Sequence, residues 1–134
     1  MNEVVEQIMG QKIDTLINMC MEAPQVECTE KHYFGPSLYI KEVTMPAGTV
    51  VIGKPHKMEH MCILLQGRMI IAKENGEKVE LVAPMTFMGS KGRKIAYIIE
   101  TVVFQNVYAT EETDIEKLEN MCVDNTQPLL EKEK

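Results

Sequence analysis

Residues 48–67 read GTVVIGKPHKMEHMCILLQG. The run predicts strand, short loop, strand. Val50, Val51 and Ile52 lead in, a polar segment around Lys54, Pro55 and Lys57 interrupts, and Met61–Leu65 resumes as a short apolar run rich in branched residues. A proline-led turn, Met45-Pro46-Ala47, precedes Gly48, and Gly67 closes the run. The stretch holds two of the chain's three histidines, His56 and His60. Four residues of continuous strand would part them by about 13 Å, too far to share an ion. Only a bend at Lys57–Glu59 brings the imidazoles together.

Outward from this stretch the chain keeps the same rhythm. Strands are expected at Ser37–Met45, Thr49–Ile52, Met61–Gln66, Arg68–Lys73, Lys78–Val82, Thr86–Met88, Lys94–Ile99 and Val102–Tyr108. Asn75-Gly76 is the strongest hairpin signal, and Pro84 sits where a strand starts or turns. Many short strands with frequent turns imply a barrel or a double-sheet jelly roll. Residues 1–22 predict an amphipathic helix with the stripe Val5, Met9, Ile13, Leu16 and Cys20. Ile8, Ile17, Met19 and Met21 lie off that stripe, so the helix wants more than one neighbour, its own barrel or another subunit. Residues 23–36 read as a connector carrying His32, a lone hydrogen-bonded histidine. Residues 37–110 form the barrel, and residues 111–134 a short helix and a tail. That helix opens on the capping box Thr113-Asp114-Ile115-Glu116.

The totals exclude several classes. The length of 134 residues suits one domain with a real core. A net charge of −6 argues against a nucleic-acid partner. The one basic cluster, Lys91-Gly92-Arg93-Lys94, reads as a solvated turn. No run approaches the roughly 20 apolar residues of a membrane span. The N-terminus lacks a signal-peptide pattern. Cys20, Cys28, Cys62 and Cys122 form no Cys-x-x-Cys pair, which suits a reduced, cytoplasmic protein. Eleven methionines fit a Met-rich core or a Met-rich interface.

The spacing around the histidines resembles the first motif of the cupin superfamily: Gly, five residues, His-x-His, three or four residues, Glu, six residues, Gly. Gly48, Lys54, His56, His60 and Gly67 stand at these places. Lys54 replaces the first ligand histidine and His60 replaces the glutamate. In the second motif Pro84 stands for the first Gly, Ser90-Lys91-Gly92 follows, and Ile95 stands for the last ligand histidine. The resemblance covers about residues 37–109 and extends to small single-domain cupin-like proteins of bacterial and phage genomes. It implies a mainly β, cupin-like barrel with an N-terminal and a short C-terminal helix. It also implies the bend that would bring His56 and His60 together, a divalent metal as a possible cofactor, and a degenerate ligand set for it.

Catalytic zinc takes three protein ligands, and the iron triad takes two histidines and a carboxylate. Here His60 replaces the carboxylate, Ile95 ligates nothing, and Glu59 points away from its neighbour His60. The leading expectation is therefore a non-catalytic binding or assembly module. It would be homo-oligomeric through the N-terminal stripe and the barrel edges, and would serve as a structural component of a larger phage particle or virion, with other assembly proteins as partners. The alternative is a small-molecule enzyme, an isomerase, an epimerase or a metal-dependent cupin. It would be built on His56 and His60, with Lys54 holding an anion and Tyr97, two residues past Ile95, lining the same cavity.

Overall fold

The computed structural model describes residues 28–73 and 76–124. The N-terminal stripe Val5, Met9, Ile13, Leu16 and Cys20 lies outside the described residues, as do Asn75 and the tail beyond residue 124. Among the described residues are seven strands and one helix: β1 Thr29–Gly35, β2 Leu38–Met45, β3 Val50–Ile52, β4 His60–Lys73, β5 Lys78–Val82, β6 Met85–Gly89, β7 Lys94–Tyr108 and α1 Ile115–Cys122. Every pairing is antiparallel, in the order β1-β2-β7-β4-β5, with β3 on β7 and β6 on β4. Among the described residues no helix is long and apolar enough to cross a membrane.

β4 and β7 organise the molecule because each runs through both halves of it. The first half of β4 pairs with β6 and the later half of β7. Its second half pairs with β5 and the earlier half of β7. Gly67 lies where the two halves meet, among three register shifts. Its φ is +93°, and an added Cβ would stand 2.2 Å from the Thr101 carbonyl oxygen. Only glycine allows both the backbone and the approach. The strand therefore bends at Gly67 and continues, where the sequence suggests a stop. The core draws on both halves: Met45, Leu64 and Val102 from one, Met69, Ile71, Leu81 and Ile98 from the other. Apolar burial of this kind contributes about 25 cal/mol per Å².

Three other expectations are corrected. Residues 29–35, read as part of a connector, form strand β1, paired residue for residue with β2. As an exposed edge strand it lacks the apolar alternation that would mark it, and Gly35-Pro36-Ser37 is its hairpin turn, with Ser37 at φ +56°. The capping residue of α1 is Asp114, whose carboxylate accepts from the Lys117 amide, while Glu112 accepts from the amides of Thr113 and Asp114. Lys91–Lys94 is no solvated turn. Arg93 is 6% exposed, and the Lys94 ammonium donates to the carbonyls of Ser90 and Gly92.

Candidate functional site

His56 and His60 do converge. Segment 55–57 is pinned on two sides. His56 exchanges backbone hydrogen bonds with Gly92, the Lys57 amide donates to the Cys122 carbonyl, and the Asp124 amide donates to the Pro55 carbonyl. His60 opens β4 opposite Gly89. The turn between them sets the two rings 4.7 Å apart, tilted by 33°.

The pair is the buried end of a column of rings that runs out to the exposed edge strand β1. His60 stacks on Tyr108 at 4.7 Å, Tyr108 on Tyr39 at 6.0 Å, and Tyr39 on both Phe34 at 5.3 Å and His32 at 5.9 Å. Strand register explains the assembly: Phe34, Tyr39 and Tyr108 are direct cross-strand neighbours. Each such aromatic contact contributes about 0.5–1.5 kcal/mol beyond its area. His32 thus belongs to the column, and the Tyr39 hydroxyl lies 2.7 Å from its Nδ1. Burial pushes the Tyr39 hydroxyl up to about 12, so it keeps its proton and donates it to that nitrogen.

The two site imidazoles differ in their bonding. His60 is 6% exposed. Its Nε2 lies 2.8 Å from Asn106 Oδ1 and 3.4 Å from Cys62 Sγ, and its Nδ1 lies 3.4 Å from the Met58 carbonyl. With the proton on Nε2, the ring donates to Asn106. His56 Nδ1 is buried and meets no hydrogen-bond partner among the described residues. Burial above all, then the neighbouring His60, Lys94 and Lys41, lowers His56 to about 4, so its ring is neutral at neutral pH. Burial also raises Cys62 to about 11 and moves Tyr108 and Cys122 upward. None of these is an ionised nucleophile at neutral pH.

α1 closes the column from above. Leu118, 1% exposed, packs with Cys122 and Val123 against Tyr39 and Tyr108. At the rim Glu119 on α1 stands between two cations: Lys41 on β2 at 3.5 Å and Lys54 at 3.6 Å. Lys41 also lies 3.5 Å from Glu30.

Of the residues the sequence nominates, His56 and His60 come together, Lys54 lies against Glu119 on α1, and Tyr97 lies elsewhere. Tyr97 pairs with Val50 and Ile70. It packs with Ile95, Ile70 and Ala72 in a separate apolar cluster, on the face of β7 opposite Ala96 and Ile98. Ile95 pairs with Ala72, at the far end of β4 from His60. The site-bearing part of β7 is instead its last turnless stretch, Asn106 and Tyr108. Cys62 was accessible to sequence reasoning, since it shares the inner face of β4 with His60 by period two. Asn106 was weakly visible, as a residue type depleted in strands.

A cupin metal would need a third donor beside His56 and His60. Among the described residues no group of three His, Cys, Asp or Glu side chains is placed to hold an ion. The side chains that bond His60 Nε2 are a thiol raised by burial and the Asn106 amide. The donor set does not fit that metal.

No family model matches the chain, and no curated protein matches it. Solved structures do. A cupin superfamily protein from Desulfitobacterium hafniense aligns with a TM-score of 0.51 at 14% identity, over 75% of this chain and 89% of its own. KdgF from Halomonas sp. aligns at 0.52 with 19% identity, over 70% and 90%. The EutQ protein of Clostridium difficile aligns at 0.50 with 19% identity, over 64% and 70%. At such identities the likeness concerns the fold, and with the two-halved antiparallel architecture and the inward histidine pair it is decisive there: this chain has the cupin fold.

Proposed function

We propose that this chain is a non-catalytic cupin-fold binding module whose barrel mouth accepts a small carboxylate or phosphate. One observation carries the reading. Lys41 and Lys54, from separate parts of the chain, stand 3.5 and 3.6 Å from the two oxygens of one carboxylate, Glu119, beside the ring column. That carboxylate is supplied by α1, the element that closes the mouth. A ligand carboxylate or phosphate entering with α1 displaced would find the same two ammonium groups. Two point charges at a partly desolvated rim suit an anion without demanding bidentate geometry.

The enzyme reading is weaker for stated reasons. A His56 ring lowered to about 4 is a poor general base at neutral pH. Tyr97, its supposed partner, faces away. The metal-dependent form lacks a third donor among the described residues. The assembly form rests on the stripe Val5–Cys20, outside the described residues.

The test is a thermal-shift titration of phosphate, citrate and acetate against the wild type, Glu119→Gln and Glu119→Gln/Lys54→Gln. At a ligand concentration tenfold above Kd, binding adds about 1.4 kcal/mol, or about 5 °C for a chain of this size. Glu119→Gln should respond more strongly than the wild type, and the double variant should lose the response. Flat melting curves in all three proteins would end the proposal.

A further inference from the structure

The outer face of the sheet differs between its two halves. Leu64, Met69 and Ile71 of β4 share the inner core. By period two Met61 and Leu65 therefore point outward in the first half of the strand, and Ile70 and Ala72 in the second. Met61 and Leu65 are 40% and 48% exposed, as side chains on an open face are. Ile70 and Ala72 are only 7% and 3% exposed, and Ile95, which pairs with Ala72, is 1% exposed. Packed with these three are Val50, Ile52, Tyr97 and Ile99. All of them lie in one layer, on β3, β4 and β7, as neighbours in register: Val50 opposite Tyr97, Tyr97 opposite Ile70, Ile52 opposite Ile95. Among the described residues no apolar side chain from another layer packs on this cluster, and α1 packs on the ring column instead. An isoleucine in the middle of a sheet face reaches 1% exposure only under a second layer.

We infer that this layer is segment 1–22 of the same chain, with the stripe Val5, Met9, Ile13, Leu16 and Cys20 laid on the patch. These are exposures within one chain, so the cover belongs to that chain and not to a second copy. Three stretches lie outside the described residues: 1–27, 74–75 and 125–134. Glu74-Asn75 is a polar turn. Residues 125–134 offer Leu129 and Leu130, which are adjacent in sequence. Adjacent residues face different ways along a helix or a strand, so only one of them could reach the patch. Segment 1–22 alone brings a continuous apolar stripe.

Size agrees with this occupant. As a helix, the stripe from Val5 to Cys20 is about 23 Å long. The patch spans β3, β7 and β4, about 10 Å, by the run Ile95–Ile99, about 13 Å. The stripe therefore crosses it in any direction.

The connection agrees as well. Thr29, where β1 begins, pairs with Thr44, which pairs with Val103. Thr29 thus lies two strands aside from β7 and four residues along it from Ile99, about 16 Å in all. The chain from Glu22 to Thr29 reaches about 23 Å when extended. The patch stands at the other end of β4 from His60, so the inference does not depend on anion binding at the mouth.

Methyl NMR on the full wild-type chain of 15.2 kDa tests this and needs no variant to fold. Nuclear Overhauser contacts should join the methyls of Ile13 or Leu16 to those of Ile70 or Ile95. In a sample mixing labelled and unlabelled chains, filtered for contacts between chains, the same cross-peaks should be missing. Ile13→Asp should move the Ile70 and Ile95 methyl signals and lower Tm by about 5 °C or more. Leu130→Asp should leave both as in the wild type. The inference fails if the Ile70 and Ile95 methyls contact no methyl of segment 1–22, or if they contact Leu129 or Leu130 instead. It also fails if their contacts with segment 1–22 arise only between chains.

Discussion

Acidification should destabilise this protein through His56. Burial, the adjacent His60 and the cations Lys94 and Lys41 lower its imidazole from 6.5 to about 4. The unfolded chain takes up that proton near pH 6.5, whereas the folded chain resists until about pH 4. Between these limits the unfolded state holds more protons, so stability rises with pH. The contribution is complete above about pH 7 and is lost as pH falls through the window. Lowering the imidazole from 6.5 to about 4 is worth about 3 kcal/mol. The perturbation is His56→Gln, which keeps an amide in the place of the ring and removes the titration. The assay is urea unfolding of both proteins from about pH 7 to about pH 4. Carboxylates titrate in both, so the difference between the two curves isolates His56. That difference should change by about 3 kcal/mol across the window, with a slope approaching 1.4 kcal/mol per pH unit. Parallel curves would show that His56 is not held neutral and would refute the buried placement of its ring.

Three further outcomes follow from the same geometry. Gly67→Ala puts a Cβ 2.2 Å from the Thr101 oxygen at a φ of +93° and should cost about 3 kcal/mol or more in urea unfolding. Asn106→Leu keeps the shape of the side chain but strips His60 Nε2 of the oxygen 2.8 Å away. It should cost about 1–3 kcal/mol and shift the ring nitrogen signals of His60 in NMR spectra. Leu118→Ala, at the buried centre of α1, should cost about 2–4 kcal/mol and speed hydrogen exchange of the Tyr108 amide.

Most of the architecture could be read from the sequence because its signals are local. Turn glycines and prolines, the Asn75-Gly76 hairpin and the apolar runs mark six of the seven strands. What was hidden is non-local. β1 reads as a connector because an exposed edge strand need not alternate. Gly67 reads as a strand end because a glycine that bends a strand and one that ends it look alike in sequence. The histidine pair was visible through its spacing, but its neighbours Asn106 and Tyr108 arrive through the register of β7 against β4 and β2. Tyr97 was placed with Ile95 correctly. The error lay in where Ile95 faces: it pairs with Ala72, at the other end of the bent sheet from His60.

The central claim is that His56 and His60 are packed as the end of a ring column and do not form a catalytic metal centre. Metal content per chain, measured by mass spectrometry on protein purified without chelator or affinity tag, tests it most directly. The account predicts far less than one equivalent of iron, manganese, nickel or zinc in the folded wild type, and the same trace level in His56→Ala. Close to one equivalent in the wild type, lost in His56→Ala, would contradict it and would put a metal-dependent reaction in its place.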